Sequence, residues 1–264
     1  MAKYFKTFSA LSLMAGASVA VAAVGEHRPD ARQIMMRMAG FVSKAPKWSV
    51  TVHSGHDIVQ LDGYKVEWND VRKVTLVRPD QPRVESERSG GTRTLLILDG
   101  KGITTFDESA KVYAQASHPG SIDDAAVYFV GDLRMRLPLA LLLVSRFPEE
   151  LQQRVQSVEY VEKTMTLGAP ADHIVGRTAT VDFQLWIAEG DKPLPLRAVL
   201  TYKDARGQPQ YRAQFSDWNF DIDPSDSLFT FTPPEGANKI PFVAALSRAR
   251  SLWQRPAATK GVKQ

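Results

Sequence analysis

Cysteine is absent from the 264-residue chain. Disulfide bonds, thiolate metal ligands and cysteine nucleophiles are therefore excluded as sources of stability or chemistry. A bacterial lipoprotein is not expected either, because such a protein carries its lipid on a cysteine at the processing site. If the chain is exported, it has to fold without disulfides.

Positive charge is not concentrated in any part of the chain. The 33 basic residues less Lys3 and Lys6 leave 31 against 29 acidic ones, a formal charge of +2, and the two signs are interspersed. A surface that binds nucleic acid needs clustered lysine and arginine. We therefore expect no nucleic-acid partner.

Long hydrophobic runs are absent beyond the N-terminus, where residues 8–24 form the one candidate. This run follows Lys3 and Lys6, and it ends in small residues that satisfy a small-x-small cleavage rule. The pattern predicts a secretory signal peptide over residues 1–23, cleaved after about Ala23, with an uncleaved membrane anchor as the alternative. The mature chain is then expected in the periplasm, without a transmembrane segment.

Motifs for catalysis and for cofactor binding are missing as well. Neither G-x-S-x-G, G-x-G-x-x-G nor a Walker loop occurs. His53 and His56 are the closest histidine pair, but side chains three positions apart in a strand face opposite sides, so a shared metal requires a turn at Gly55. Asp172 beside His173 could orient a general base, although a surface or capping histidine is the simpler interpretation. We predict a non-enzymatic protein that holds no metal and no cofactor.

The patterns that are present are those of a few helices and many strands. After Asp30, an N-cap candidate, apolar residues recur at spacings of three and four, which predicts an amphipathic helix. A helical interval is predicted over residues 121–155, and it includes a leucine-rich helix from Pro138 to Phe147. A last helix is predicted over residues 242–253.

Elsewhere the apolar period is two, and Asp-Gly dipeptides mark several of the turns. The predicted strands cover residues 48–60, 64–69, 71–78, 83–88, 94–98, 102–107, 111–116, 158–167, 174–187, 194–203, 211–219 and 228–231. Such a series predicts an α+β fold, in which one strongly curved antiparallel sheet of about 11 strands is covered by helices on its apolar face.

Two neighbouring strands each carry an alternating apolar row. Every second residue from Val181 to Ile187 is apolar, and so is every second residue from Leu194 to Tyr202. These rows indicate a dry face of the sheet. They do not distinguish a core filled by the protein's own helices, which is the more common case, from a wall that holds an apolar ligand.

Four longer segments are specific in their sequence and in their order. They are "VTLVRPDQPRVE", "LLILDGKGITTFDESAKVYAQ", "DHIVGRTATVDFQLWIAEGDKPLPLRAVLTY" and "YRAQFSDWNFDIDPSDSLFTFTPPEG". Over residues 31–236, the chain resembles the DUF2092 family of predicted periplasmic proteins. That family is similar in fold to the bacterial outer-membrane lipoprotein carriers, the LolA, LolB and LppX superfamily. The resemblance implies a half-barrel domain over residues 24–243 with a helical lid in its concave face, and a C-terminal helix with a disordered tail over 244–264.

In those carriers the space between sheet and lid holds acyl chains. The resemblance therefore implies that this chain binds a lipid, a lipoprotein acyl chain or another hydrophobic ligand, with a lipid or an acylated protein as its partner. The alternative is an envelope protein–protein interaction or stress-sensing module built on the same half-barrel. A monomer is expected. The predicted ligand wall comprises Val181, Phe183, Leu185, Ile187, Leu196, Ala198, Leu200, Tyr202 and Phe215 on the sheet, with Phe129, Leu139, Leu142 and Leu143 opposite.

Overall fold

A computed structural model describes residues 28–133, 135 and 137–254 of the chain. The predicted signal peptide lies outside the described residues, and so does the last part of the predicted C-terminal tail. The predicted last helix falls within them, and so does the predicted half-barrel except for residues 24–27, 134 and 136.

Within the described residues, twelve strands form one open sheet. They are β1 (Lys47–Val59), β2 (Lys65–Val77), β3 (Gln81–Arg88), β4 (Arg93–Leu98), β5 (Gly102–Asp107), β6 (Val112–Ser117), β7 (Ser157–Thr166), β8 (Ala169–Arg177), β9 (Val181–Ala188), β10 (Pro195–Tyr202), β11 (Gln210–Asn219) and β12 (Asn238–Lys239). Their spatial order is β12-β6-β5-β4-β3-β2-β1-β11-β10-β9-β8-β7.

The sheet consists of two antiparallel meanders, β1 to β6 and β7 to β11, which join where β1 pairs with β11. The short strand β12 is the exception to the antiparallel pattern, since it pairs in parallel with β6. The predicted fold class, a single curved sheet with helices on one face, is confirmed. The number of strands is 12 where about 11 were expected.

Four α-helices accompany the sheet in the described part of the chain: α1 (Ala31–Lys44), α2 (Ile122–Val127), α3 (Phe147–Arg154) and α4 (Phe242–Gln254). The Asp30 side chain caps α1 by accepting the backbone N–H groups of Arg32 and Gln33, as its position in the sequence predicts. A capping box between Ser121 and Asp124 begins α2, which continues into one π-helical turn over Tyr128–Asp132.

The core lies between the concave face of the sheet and α1. Met35 and Val42 of α1 are fully buried, and they pack in one cluster with Trp48 of β1, Leu76 of β2 and Phe215 of β11. Burial of side chains this large stabilises the fold by roughly 1.5–3 kcal/mol each. The concave face is therefore partly filled by protein, and the question is how much space is left.

The predicted helix from Pro138 to Phe147 is wrong. Only a short 3-10 turn forms, over Ala140–Leu142, and it is preceded by Leu139 with a left-handed φ of 69°. Tertiary hydrogen bonds take the place of helical ones. Ser145 donates from its backbone N–H and from Oγ to the carboxylate of Asp123, at 2.8 and 2.6 Å, and Arg78 Nη1 donates to the carbonyl of Leu143 at 2.7 Å.

Three of the strand predictions also differ from the structure. The strand predicted over residues 174–187 is divided, because Thr178 Oγ1 accepts the backbone N–H of Val181 and forms a turn between β8 and β9. The strand predicted over residues 228–231 is instead a 3-10 helix at Asp226–Phe229 followed by irregular chain. Conversely, the candidates at 64–69 and 71–78 are one continuous strand, β2.

Candidate functional site

Two neighbouring chambers remain between the concave face of the sheet and the segment that crosses it, residues 122–133, 135 and 137–154, which we call the lid. The lid chamber has a volume of about 580 Å³ and lies against β9, β10 and β11. The second space, which we call the arginine chamber, has a volume of about 260 Å³ and lies against β1 to β5 and α4. Residues 137–140, Leu142 and Phe215 border both chambers.

Most of the predicted wall residues border the lid chamber. They are Val181, Phe183, Leu185, Ala198, Leu200, Tyr202, Phe215, Leu139 and Leu142. The pairing of the strands explains why the sheet residues converge, since Ala198 lies opposite Leu185 and Leu200 lies opposite Phe183 in the β9–β10 ladder. Directly opposed residues share a face of the sheet. Leu143 borders the arginine chamber instead.

Three predicted wall residues lie elsewhere. Ile187 is fully buried in the core, and Phe129 packs in a separate cluster with Leu246 of α4. Leu196 is displaced by an irregularity in the ladder, because Pro195 pairs with Ile187 while Arg197 already pairs with Trp186. The extra residue changes the face that the row presents, and Pro195 takes the place of Leu196 at the chamber.

The opposite face of β9 and β10 is polar. Gln184 lies 3.1 Å from the His173 ring, Trp186 stacks on His173 at 4.1 Å between ring centroids, and the Arg197 guanidinium lies 4.8 Å from the Trp186 ring. These contacts occupy the positions that alternate with the chamber residues. The two faces of this hairpin are therefore chemically distinct, as the alternation predicts.

The lid chamber opens to solvent beside the lid. Val127 and Val130 border it, and they are 55% and 45% exposed. Three charged residues lie at the same border. Arg146 is the N-cap residue of α3, and Glu150 and Arg154 lie within that helix. An apolar interior with a few polar groups is the usual composition of a small-molecule pocket.

A charged cluster that the sequence analysis did not identify lies in the arginine chamber. Asp70 is 5% exposed, and its carboxylate accepts a hydrogen bond from Ser54 Oγ and one from Arg72 Nη2, the latter at 2.5 Å. Arg72 Nη1 also lies 3.4 Å from the hydroxyl of the buried Tyr211. Arg88 borders the same space. At the rim, Arg248 of α4 pairs with Asp107 at 3.3 Å.

Burial affects the ionisable groups of this cluster. Burial acts to lower the pKa of Arg72, but its interactions with Tyr211 and Asp70 outweigh burial and raise that pKa. Burial lowers the pKa of Arg88, although an arginine stays protonated at any ordinary pH. Burial also lowers the pKa of His56 to about 4, so this imidazole is neutral at pH 7. The carboxylates of Asp70 and Asp107 act against burial and raise the pKa of Arg88, but less than burial lowers it.

A signal for this cluster is present in the sequence. Val74 and Leu76 of β2 belong to the dry face, and the period of two continued toward the N-terminus reaches Arg72 and then Asp70. An arginine and an aspartate two positions apart in a dry row indicate a buried ion pair. The two predicted strands, 64–69 and 71–78, leave Asp70 in the gap between them. The row from Asp70 through Arg72 to Leu76 is therefore not visible in that prediction.

The described part of the chain shows neither a cluster of metal ligands nor a helix that could span a membrane. There, no group of three histidine, aspartate or glutamate side chains is placed to hold a metal ion. His53 and His56 face opposite sides of β1, because the first lies opposite Gln214 and the second opposite Tyr211. None of the helices described is long and apolar enough to cross a bilayer.

Several solved structures are similar to this chain at low identity. An uncharacterised conserved protein from Thermus thermophilus shares 12% identity with a TM-score of 0.46, over 80% of this chain and 98% of that one. The lipoprotein LppX from Mycobacterium tuberculosis shares 14% identity with a TM-score of 0.43, over 73% and 96%. A LolA superfamily protein from Nitrosomonas europaea shares 10% with a TM-score of 0.40, over 77% and 98%. A comparison with curated proteins finds no match.

A family model matches the chain over residues 31–243, and its description is "Predicted periplasmic protein (DUF2092)". The match begins at the first residue of α1, includes β1 to β12, and ends within the first turn of α4. It therefore contains both chambers except for the part that α4 contributes. It confirms the resemblance inferred from the sequence segments: the chain belongs to the DUF2092 family of predicted periplasmic proteins.

Proposed function

We propose that this protein is a periplasmic, non-enzymatic binding protein that holds the hydrocarbon part of a lipid, an acylated protein or another amphiphile in the lid chamber. The observation that carries the proposal is the chamber itself, a space of about 580 Å³ between sheet and lid. Ligand pockets commonly measure about 300–1,000 Å³ and are lined mainly by apolar side chains with a few polar groups.

The lining supports this assignment in its chemistry. Aliphatic and aromatic side chains of β9, β10 and the lid dominate it, among them Phe183, Leu185, Leu200 and Leu142. Burying one methylene is worth about 0.8 kcal/mol, so a twelve-carbon chain gains about 9 kcal/mol before costs. Ordering of the ligand and desolvation of its head group reduce that gain. No reacting group is required for such a function.

The proposed location follows from the family description and from the predicted signal peptide at residues 1–23. A carrier in an aqueous compartment has to shield the chain of its ligand from water. The lid does this by covering the concave face, while the exposed Val127 and Val130 mark where a chain can enter.

Native mass spectrometry of the mature protein, purified from a periplasmic extract without detergent, tests the proposal. We expect a protein peak with the added mass of an amphiphile, which organic extraction removes. After extraction, the protein should take up a fluorescent fatty acid at a ratio of one to one. A protein that carries no added mass and takes up no fatty acid would contradict the proposal and favour the protein–protein module.

A further inference from the structure

The hairpin between β1 and β2 ends in a turn, residues 60–64, which we call the hairpin tip and which carries two exposed apolar side chains. Leu61 is 87% exposed and Tyr64 is 75% exposed, more than any other large hydrophobic residue in the described part of the chain. Turns are usually formed by glycine, proline and small polar residues. Here Asp62 and Gly63 make the bend, with Gly63 at a φ of 93°, and an apolar residue stands on each side of them.

Contacts with the neighbouring loop hold the hairpin tip in this conformation. From the loop between β10 and β11, Arg206 Nη2 donates to the carbonyl of Leu61 at 3.2 Å. In the other direction, Lys65 Nζ donates to the carbonyl of Gln208 in that loop at 3.3 Å. The two loops therefore form one surface at this end of the sheet, and the exposed side chains of Leu61 and Tyr64 project from a supported backbone.

The lid chamber extends to the same end of the sheet. Thr178, Thr180 and Val181, at the turn between β8 and β9, border it, and so does Tyr202 at the end of β10. The loop that supports the hairpin tip begins directly after Tyr202, where the backbone N–H of Lys203 donates to the carbonyl of Thr180 at 3.0 Å. Only β11 lies between β10 and β1. Because neighbouring strands are about 4.8 Å apart, the strands that lead to the hairpin tip and to this chamber border are roughly 10 Å apart.

The charge of this end of the molecule is nearly balanced. The two loops, residues 60–65 and 203–209, contain three basic side chains and two acidic ones, namely Lys65, Lys203, Arg206, Asp62 and Asp204. Such a balance gives little attraction for a strongly charged partner. A partner of this surface is therefore recognised mainly through its two apolar side chains.

The size and the chemistry of the hairpin tip favour a lipid bilayer over another protein as that partner. A stable protein interface buries about 800 Å² on each side, and the two apolar side chains of a turn provide far less. A bilayer requires only shallow insertion. Leucine transfers favourably into hydrocarbon, and tyrosine is enriched at the membrane interface, where its ring is buried and its hydroxyl stays hydrated.

We propose that the hairpin tip docks this protein on the surface of a lipid bilayer, with Leu61 and Tyr64 inserted among the lipids. This orientation brings the Thr180 and Tyr202 end of the lid chamber toward the membrane, which shortens the path of a hydrocarbon chain between bilayer and chamber. The exchange of ligand with the membrane rests on the proposed function and deepens it by naming the partner. The docking itself does not require a ligand.

Flotation with vesicles of phosphatidylethanolamine and phosphatidylglycerol tests the docking. We expect the mature protein to float with the vesicles. The Leu61→Ser/Tyr64→Ser double variant should bind them at least about tenfold more weakly, since burial of one large apolar side chain is worth a factor of about ten or more. Both positions are exposed, so the variant should keep the unfolding temperature of the wild type. High salt should leave the binding within about twofold, because the contact is apolar.

The chain offers a matched control at the other end of the sheet. Met165 and Leu167 are 65% and 53% exposed at the turn between β7 and β8. That turn is at the far end, because the opposite ends of β7 and β8 meet beside the β8–β9 turn. Met165→Ser/Leu167→Ser removes a similar apolar surface and should bind vesicles as the wild type does. Equal losses in the two double variants would overturn the assignment to the hairpin tip.

The absence of cysteine from the chain allows a second measurement. The Leu61→Cys variant, labelled with an environment-sensitive fluorophore, should emit more strongly when vesicles are added, and lipids with brominated acyl chains should quench it. The same label in Leu167→Cys should not respond. A label at position 61 that responds to a periplasmic extract and not to vesicles would indicate a protein partner and overturn the proposal.

Transfer measurements separate the docking from the proposed function. The wild type should take up a fluorescent fatty acid from vesicles at least about tenfold faster than Leu61→Ser/Tyr64→Ser, while both bind the free fatty acid with equal affinity. Equal uptake rates would overturn the role of docking in exchange and leave the proposed function intact. Failure of the wild type to float with vesicles would overturn the docking. If the protein binds vesicles and no fatty acid, the proposed function fails and the docking remains.

Discussion

A substitution at Leu185 of β9 can test whether the lid chamber holds a ligand. Its side chain borders the chamber, whereas its neighbour Gln184 lies on the opposite face beside His173. The same substitution at the two positions therefore tests the two faces separately. A tryptophan at position 185 occupies chamber volume, and one at position 184 does not.

We expect Leu185→Trp to reduce the affinity for a fluorescent fatty acid by at least about tenfold, because the indole fills space that the ligand needs. The unfolding free energy should change little if that space is open. In a fully packed core the same change should cost about 1–3 kcal/mol. Ligand titration and urea unfolding measure the two quantities.

Gln184→Trp is the control, with unchanged fatty-acid affinity as its expected result. A Leu185→Trp protein that is strongly destabilised, while it binds the fatty acid as the wild type does, would show that the ligand lies elsewhere.

His56 provides a prediction for the dependence of stability on pH. Burial lowers its pKa to about 4 in the folded protein, below the ordinary value of 6.5. The unfolded chain therefore binds more protons between these values, so stability rises with pH over this window and is lost as the pH falls through it. The residue as a whole is partly exposed, and solvent screening limits the effect to about 1–2 kcal/mol.

Urea unfolding at pH 7 and at pH 4.5 should therefore show a smaller loss of stability for His56→Gln than for the wild type. His53→Gln serves as the comparison, because His53 is exposed on the opposite face of the same strand. A wild-type and a His56→Gln protein with parallel pH profiles would rule out this role for His56.

The sequence predicts which face of the sheet a residue lies on where the strand is regular, because side chains then alternate between the two faces. The sheet positions from Val181 to Leu185 and from Ala198 to Tyr202 are of this kind. Leu196 could not be placed, because the irregular pairing at Pro195 depends on the neighbouring strand. The Asp70–Arg72 pair could have been found from the dry row of β2, but its role in a chamber depends on elements distant in sequence.

The lid is the element whose structure differs most from the prediction made from its local sequence. Its leucines have helical spacing, yet contacts with Asp123 and Arg78 hold residues 143–145 in an irregular path. The capped helices α1 and α2 were predictable because their signals are local. The segment at Leu228 is not a strand because it packs on other strands instead of pairing with them: Arg83 donates to the Leu228 carbonyl at 2.8 Å.

Removal of the Asp123 carboxylate should loosen the lid without removing any residue from the sheet. Asp123→Ala eliminates two hydrogen bonds to Ser145, worth roughly 0.5–1.5 kcal/mol each. We expect faster hydrogen exchange at the backbone amides of residues 139–146 and faster dissociation of a bound fatty acid. Mass spectrometry and stopped-flow fluorescence measure these rates.

Asp226→Ala provides the comparison, since Asp226 also begins a short helix but lies outside the lid. It should change neither rate. Unchanged exchange over residues 139–146 in Asp123→Ala would mean that other contacts hold the lid.

At the scale of the whole molecule, the C-terminal part of the chain returns to the first meander and closes the arginine chamber. The strand β12 pairs with β6, and α4 then places Ala245 and Arg248 at the chamber border. Leu246 of the same helix is 7% exposed and packs with Phe129. The helix was predictable from its composition, but its docking site was not, because the partners come from β4, β5 and the lid.

Leu246→Ser should detach α4, because it replaces a buried side chain of that helix with a polar one. A loss of about 2–4 kcal/mol is expected, by analogy with other large-to-small changes in cores. Trypsin should then cleave the helix faster, and a bound fluorescent fatty acid should dissociate faster.

Val243→Ser is the matched control, because Val243 is 73% exposed on the same helix. It should have the proteolysis rate of the wild type. If trypsin cleaves the Leu246→Ser variant as slowly as it cleaves Val243→Ser, and the two variants have the same unfolding free energy, α4 does not close the chamber.

The two chambers lie on either side of the junction between β1 and β11, so their sheet walls come mostly from different parts of the chain. Strands β1 to β5, before residue 108, contribute most of the sheet wall of the arginine chamber, whereas the sheet wall of the lid chamber belongs to β9, β10 and β11, after residue 180. The two chambers are then built mainly from separate stretches of the gene. Related proteins can diverge in one chamber while they retain the other, and chimaeras joined within the lid should inherit the two chambers mainly from different parents.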